Sequence, residues 1–178
     1  METVVVVAVT GFLAFAVADM TIALHRFSTR EGALADSARH ALSGIEPLRT
    51  AALAASSVAP SRTILGTLYT SSPSAVVLAV PTVNSTGVTV PNSTDYVAFT
   101  LSASDPTKLI RATDAAAGSR LTTRVDTIIP LVNSFFIRYS SSTPSASDGF
   151  EFTVETINTV LGIPERTLLT TAMTLGNK

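Results

Sequence analysis

The sequence predicts an α+β protein in which a long N-terminal α-helix, apolar first and amphipathic later, packs on an antiparallel β-sheet head. Three observations support this prediction. Residues 3–18 contain no charged side chain. Residues 34–55 repeat apolar side chains at steps of four and three, the spacing of one helix face. Beyond residue 61 the chain changes to short alternating segments separated by turn residues, which is typical of β-strands.

We interpret the N-terminal segment as a membrane anchor. Residues 3–18 read TVVVVAVTGFLAFAVA, Asp19 interrupts the run, and apolar residues resume up to Leu24. A membrane-spanning helix needs about 20 apolar residues, so the segment is close to that length. Two alternatives are a signal peptide and the core helix of a soluble protein. The acidic start at Glu2 disfavours the first, and apolar residues on every face disfavour the second.

The helical pattern continues past His25 and supplies a cover for the sheet. Pro47 is expected to kink or break this helix, and Pro60 to end it. About 50 helical residues would be about 75 Å long, more than a small domain can bury, so lipid or other subunits must cover the first half. The predicted apolar stripe consists of Leu34, Ala38, Ala41, Ile45, Leu48, Ala52 and Ala55.

These patterns divide the chain into two parts. Residues 1–25 form the anchor and assembly half of the helix. Residues 26–178 form the head, with the amphipathic half of the helix at about 26–58 and the β-sheet at about 62–178. One-sided alternation in the strands indicates a single antiparallel sheet with one face in water.

Six strands are expected in the head. Pro81 should stop the first of them, and residues 84–94 should form a loop. In the fourth strand, alternation places Leu131, Phe135, Ile137 and Tyr139 inward. The expected strands span residues 75–80, 95–101, 108–113, 131–139, 150–155 and 166–175.

Composition argues against several classes of function. The 12 basic and 13 acidic residues give a net charge of −1, so no basic excess is present for a nucleic-acid partner. The chain has no cysteine, which excludes disulfides, thiol catalysis and cysteine-ligated metals. No G-x-S-x-G, phosphate-loop or H-E-x-x-H motif occurs, and His25 and His40 both lie on the helix. We therefore expect no enzyme and no cofactor, and we leave a calcium ion between the loops open.

The order and texture of these segments resemble type IV pilins and type II secretion pseudopilins. A mature chain of that family opens with Phe and a few apolar residues, followed by a Glu and an unbroken apolar run. Here Glu2 and the run TVVVVAVTGFLAFAVADM resemble that pattern. The stretch ALADSARHALSGIEPLRTAALAASSV resembles the next part of the helix in minor pilin-like subunits. Five further segments resemble parts of the heads of those subunits: SAVVLAV, TDYVAFTL, TKLIRAT, FFIRY and RTLLTTAMTLGNK.

The resemblance implies a minor pilin or pseudopilin, a structural subunit of a type IV pilus or a type II secretion-like filament. Its implied partners are other pilin subunits, an inner-membrane assembly platform and membrane lipid. The resemblance gives Glu2 an assembly role, a contact with the N-terminal amine of a neighbouring subunit, and Asp19 becomes a candidate interfacial residue. The family's basic leader and its Gly do not precede Met1. We expect an upstream start, and leave prepilin processing and methylation open.

The orientation of the anchor depends on which rule is followed. His25, Arg26 and Arg30 follow the span and nothing basic precedes it, so the positive-inside rule alone would place the head in the cytoplasm. The family order places the head on the outer side of the inner membrane, or on a cell-surface filament, and we follow that order. The alternative function is a signal-anchored extracytoplasmic binding domain that does not polymerise.

Overall fold

The first third of the chain forms one helix, α1, which spans Glu2–Ala54. The computed structural model describes residues 2–160 and 162–177, and the side chains of all of these except residues 2 and 4. The 53 residues of α1 correspond to a length of about 80 Å at 1.5 Å per residue. Within these described residues, ten antiparallel strands follow the helix, and the predicted α+β class with the helix packed against sheet is confirmed.

The expected break at Pro47 is wrong, because α1 continues through this residue. A proline inside a helix removes one backbone hydrogen bond and costs about 3 kcal/mol or more. Leu48, the next residue, is only 1% exposed, so burial against the head opposes that cost. The helix ends at Ala54 and not at Pro60. Two residues later the backbone is already bonded to the sheet, since the Ser56 amide donates to the Ala79 carbonyl at 2.9 Å.

The strands form three sheets where a single sheet was expected. A five-stranded sheet has the order β1-β4-β5-β6-β7, a three-stranded sheet has the order β10-β9-β8, and β2 pairs with β3 alone. A 3₁₀ turn, Pro144–Ala146, lies between β8 and β9. The strands are β1 Ser57–Val58, β2 Ser61–Ile64, β3 Thr67–Thr70, β4 Ala75–Val83, β5 Thr89–Leu101, β6 Leu109–Asp114, β7 Arg124–Ile129, β8 Val132–Tyr139, β9 Gly149–Val160 and β10 Ile163–Thr174.

Pro81 does not stop β4, which continues to Val83. The neighbouring strand β1 is too short to reach it, because its register partners on β4 are Leu78 and Ala79. The missing N–H of Pro81 therefore leaves no ladder bond unmade on that side, and the register shifts between Pro81 and Val83.

The predicted loop 84–94 is mostly strand. The Asn84 side-chain oxygen accepts hydrogen bonds from the amides of Thr86 (3.0 Å) and Val88 (2.9 Å), which closes a tight turn. Strand β5 can therefore begin at Thr89. The unpredicted hairpin β2–β3 turns at Leu65 and Gly66, which both have positive φ angles, 48° and 81°. Positive φ at both central residues is the geometry that favours a two-residue hairpin.

The amphipathic half of α1 contributes to the main core. Within the predicted stripe, Leu34, Ala38 and Ile45 are half-buried, and Ala41, Leu48, Ala52 and Ala55 are buried. Ile45 and these four buried residues pack with inward residues of both larger sheets, among them Leu78, Phe99, Val132, Phe135 and Phe152.

The inward position predicted for Leu131 is wrong. This residue lies in the turn before β8 with φ at 60° and a 48% exposed side chain. Val132 occupies the inward place, and Phe135 and Ile137 are buried as the alternation predicted. At the other end of β8, the Tyr139 hydroxyl donates to the Ala75 carbonyl of β4 at 2.6 Å, which joins the two larger sheets. Burial raises the pKa of Tyr139 to about 12.

Candidate functional site: the exposed apolar half of the helix

The N-terminal half of α1 is apolar and uncovered. Every described side chain from Thr3 to Gly32 is exposed, and Val7, Phe12 and Phe15 each reach 72%. Soluble monomers rarely leave a large contiguous apolar surface in water, and such surfaces mark contacts with a membrane or with other proteins. We call residues 3–32 of α1 the free half and residues 33–54 the docked half.

The free half has the dimensions of a membrane span. Among the described residues, α1 is long and apolar enough to cross a membrane, and its most apolar stretch has no buried residue. Residues 3–24 correspond to about 33 Å of helix, close to the thickness of a bilayer core of about 30 Å. The hydroxyls of Thr10 and Thr21 donate to the Val6 and Val17 carbonyls, each at 2.8 Å. These polar side chains are thus satisfied within the helix, as lipid requires.

The two predicted site residues lie near opposite ends of this span. The backbone of Glu2 belongs to the first turn of α1, and its side chain lies outside the described part of the structure. Asp19 is exposed, seventeen residues further along, or about 26 Å along the helix axis. A carboxylate is costly at the bilayer centre and cheaper at an interface, and this separation allows both to lie near an interface. The assembly role of Glu2 and the interfacial role of Asp19 stay predictions.

The boundary between the two halves is marked by polar contacts that the sequence patterns did not predict. Arg30 forms an ion pair with Glu165 of β10, whose side chain is 9% exposed against 57% for Arg30. Two turns further on, the hydroxyls of Ser37 and Thr156 are 2.7 Å apart and buried. Both contacts attach α1 to the β9–β10 hairpin. Each joins residues more than a hundred positions apart, and local periodicity carries no signal for such pairs.

Residues that could hold a metal ion do not gather within residues 2–160 and 162–177. No group of three or more His, Asp or Glu side chains with suitable spacing occurs in that part of the chain. His25 and His40 lie fifteen residues apart on α1 and both are exposed. Three arginines border a cleft beside α1 that the sequence did not indicate: Arg111 of β6, Arg124 of β7 and Arg120 of the loop between these strands.

The protein-family models and the curated proteins searched contain no match to this chain. The long apolar helix on antiparallel sheet is compatible with a pilin-like fold. It is equally compatible with a head held by a signal anchor. The resemblance to pilins therefore rests on the order and texture of the segments.

Proposed function

We propose that this chain is a minor pilin or pseudopilin, a structural subunit of a type IV pilus or type II secretion-like filament. The free half of α1 would hold it in the inner membrane and later pack against other subunits. One observation carries the proposal. A folded head with its own core stands beside a helical segment about 33 Å long, none of whose described side chains it buries.

The apolar area of the free half determines how much free energy is gained when lipid or neighbouring helices bury it. Full burial of one large apolar side chain is worth about 1.5–3 kcal/mol, and the free half exposes more than ten of them. Covering this surface is therefore worth more than the whole net stability of a typical domain, about 5–15 kcal/mol. Lipid can supply the cover for one subunit, and a bundle of neighbouring helices can supply it in a filament.

The sequence of the free half allows close helix packing. Gly11, Ala14 and Ala18 follow one another at steps of three and four, which places them on one face. Small residues let helix backbones approach closely in a membrane, where apolar burial alone gives no preference for a helix over lipid. Under the proposal, Glu2 would set the register between neighbours, and an inner-membrane platform would extrude the subunits with their heads on the outer side.

The absence of native cysteine makes crosslinking a clean test. The double variant Ala16→Cys/Ala18→Cys places two thiols about 200° apart on the free half. When the full chain is expressed with its partner subunits and oxidised in membranes, we expect a ladder of crosslinked oligomers, because each helix in a bundle has neighbours on more than one side. Either single variant should stop at dimers.

A head variant serves as the matched control. Ala103→Cys, in an exposed loop of the head, is combined with a second exposed head cysteine so that this variant also carries two thiols, and it should give no ladder under the same oxidation. Monomers alone from the Ala16→Cys/Ala18→Cys chain would exclude assembly through α1 and favour the solitary signal-anchored domain. An equal ladder from Ala103→Cys paired with a second exposed head cysteine would attribute assembly to the head.

A further inference from the structure

The head contains a cleft between the docked half of α1 and the five-stranded sheet. Its volume is about 690 Å³, within the range of about 300–1,000 Å³ that small-molecule sites occupy. The helix contributes residues 46–54, and strands β4 to β7 contribute the opposite wall and the rim. The cleft lies about 33 Å along α1 from the end of the apolar span at Leu24, so it is far from any membrane that the span would cross.

The walls of the cleft are chemically unequal. Pro47 and Ala51 of α1 face Val80 and Val97 of the sheet and give an apolar interior. The rim formed by β6, β7 and the loop between them carries three guanidinium groups, those of Arg111, Arg120 and Arg124. An apolar interior with a few convergent polar groups is the usual composition of a ligand site.

The carboxylates near the cleft do not satisfy all of these arginines. Asp126 accepts from the Arg111 Nη2 and the Arg124 Nε, each at 2.8 Å, and this bonding to Arg111 is the main reason that its pKa is lowered. The Arg111 Nε is buried and has no acceptor among the described residues. The side chain of Arg120 likewise forms no ion pair or hydrogen bond within the described part of the chain. The Arg111 Nε adds positive charge beside the cleft but is itself closed to a ligand, whereas Arg120 is exposed and can donate to an incoming anionic oxygen.

Two other carboxylates line the cleft, and both have to be counted. Asp95 is 1% exposed, and its oxygens accept from the Thr82 and Ser119 hydroxyls and from the Ala116 amide, at 2.7–3.2 Å. The Asp95 carboxylate is therefore already bonded to neutral donors, and two of these bonds hold the β6–β7 loop in place. Glu46 is exposed on the helix side. The donors without acceptors, by contrast, belong to the arginines on the sheet side.

We infer that this cleft binds a small organic anion, with an apolar body between α1 and the sheet and a carboxylate or phosphate group against Arg111 and Arg120. Planar guanidinium groups match both kinds of oxyanion in geometry and charge. The inference is independent of filament assembly, because every residue involved lies in the head. A subunit that polymerises and a solitary anchored domain could both use such a site.

The test compares two probes of the same shape on the full chain in lipid nanodiscs. The first is 2-naphthoate and the second is its neutral analogue 2-naphthamide, with empty nanodiscs as the blank for partitioning into lipid. We expect 2-naphthoate to bind with a Kd below about 1 mM and 2-naphthamide at least about tenfold more weakly, which is the effect of one charge-assisted hydrogen bond. Equal affinity for the two probes would overturn the inference, as would no binding of 2-naphthoate.

A matched pair of arginine variants locates the site. Arg120→Gln removes an exposed guanidinium that has no partner among the described residues, so the fold should be unaffected and 2-naphthoate affinity should fall about tenfold. Arg138→Gln makes the same change at an exposed position of β8 that does not line the cleft, and it should leave 2-naphthoate affinity unchanged. Thr50→Trp, at an exposed helix position on the rim, should abolish binding by filling the entrance. Equal losses in Arg120→Gln and Arg138→Gln would show non-specific charge attraction and overturn the inference.

Discussion

The free half and the docked half of α1 belong to one continuous helix, yet they differ in how far the head buries their side chains. Every described side chain of the free half is exposed, whereas from Ala33 onward buried residues recur every three or four positions. The more apolar half is the one left uncovered. Apolar content alone therefore does not locate the core. A stripe on one face indicates a helix that covers its own sheet, and apolar residues on all faces indicate a helix that needs an outside cover.

The largest expected contrast comes from the same leucine truncation in each half. Leu48 is 1% exposed in the core, and Leu13 is 58% exposed in the free half. We expect Leu48→Ala to lower the free energy of unfolding of the head by about 2–5 kcal/mol, since it leaves a cavity. Leu13→Ala should change it by less than about 0.5 kcal/mol. Chemical denaturation of both full-length variants in one detergent, followed by circular dichroism, measures the difference.

Equal losses of stability in these two variants would contradict the proposed difference between the two halves of α1. They would mean that the free half contributes to the folding of the head through contacts that its exposure does not reveal. Because both changes are Leu→Ala in one helix, differences in helix propensity cancel.

Two helical glycines offer the next contrast. A Cβ built on Gly44 would lie 2.0 Å from the Ile129 Cγ1, so the helix or this fully buried side chain would have to shift. Gly44→Ala should therefore destabilise the head by about 1–3 kcal/mol, in spite of the better helix propensity of alanine. A Cβ on Gly32 would meet nothing within 4 Å, so Gly32→Ala should stabilise α1 by about 0.5–1 kcal/mol.

A loss of stability in Gly44→Ala and a gain in Gly32→Ala would place the boundary between the two halves of α1 between these two glycines. Thermal unfolding of the full chain reports both. A stabilising Gly44→Ala would mean that the helix can move away from β7 at no cost, and the docked half would then be less tightly packed than the contact with Ile129 indicates.

The sequence predicts these two halves well because periodicity is a local signal. The stripe from Leu34 to Ala55 and the alternation in the β8 and β9 segments each arise from neighbours within a few residues. The same rules failed where tertiary contacts overrode local preference. Pro47 remains helical because the flanking turns are packed on the head, and Pro81 remains in a strand because no β1 residue needs its N–H.

The division into two larger sheets and the candidate cleft could not be predicted from local patterns. The residues that surround the cleft come from α1, four strands, the β6–β7 loop and Asn177 after β10, and nothing in their spacing brings them together. The short strands β1 to β3 and strand β7, in which two isoleucines are adjacent, also lack a clear alternation in the sequence, so they were not predicted. This part of the fold depends on pairing between segments that are far apart in the chain. Local patterns in one sequence do not show which segments pair.

An arginine pair tests where the head begins to hold the helix. Arg30 is paired with the nearly buried carboxylate of Glu165, whereas Arg26, one turn earlier, is exposed and has no partner among the described residues. Arg30→Gln should lower the free energy of unfolding by about 1 kcal/mol, a value reduced from that of a fully buried pair because Arg30 is 57% exposed. Arg26→Gln should have no measurable effect.

The double variant Arg30→Gln/Glu165→Gln separates the ion pair from the shape of the side chains. Removing both charges should recover most of the loss, because no unpaired carboxylate then remains buried. Urea denaturation at low and high salt completes the test. A loss in Arg30→Gln that the second substitution does not recover would assign the effect to packing of the arginine stem.

The smallest contrast uses two serines on either side of the same boundary. Ser37 is 3% exposed and its hydroxyl lies 2.7 Å from that of Thr156, whereas Ser28 is exposed. Both Ser→Ala changes gain the same few tenths of a kcal/mol in helix propensity, so their difference isolates the buried hydrogen bond. We expect Ser37→Ala to be less stable than Ser28→Ala by about 0.5–1 kcal/mol. The difference should stay small, since Thr156 keeps the Ser37 carbonyl as an acceptor at 3.3 Å.

Native-state hydrogen exchange of the β9–β10 hairpin measures this local effect better than global unfolding does. Faster exchange around Thr156 in the Ser37→Ala chain alone would show that the head holds α1 from this turn onward. Equal exchange in the two chains would move the effective boundary towards Ala41, the next fully buried position of the predicted stripe. The free half would then extend to about residue 40, which adds about two turns of helix available to a neighbouring subunit.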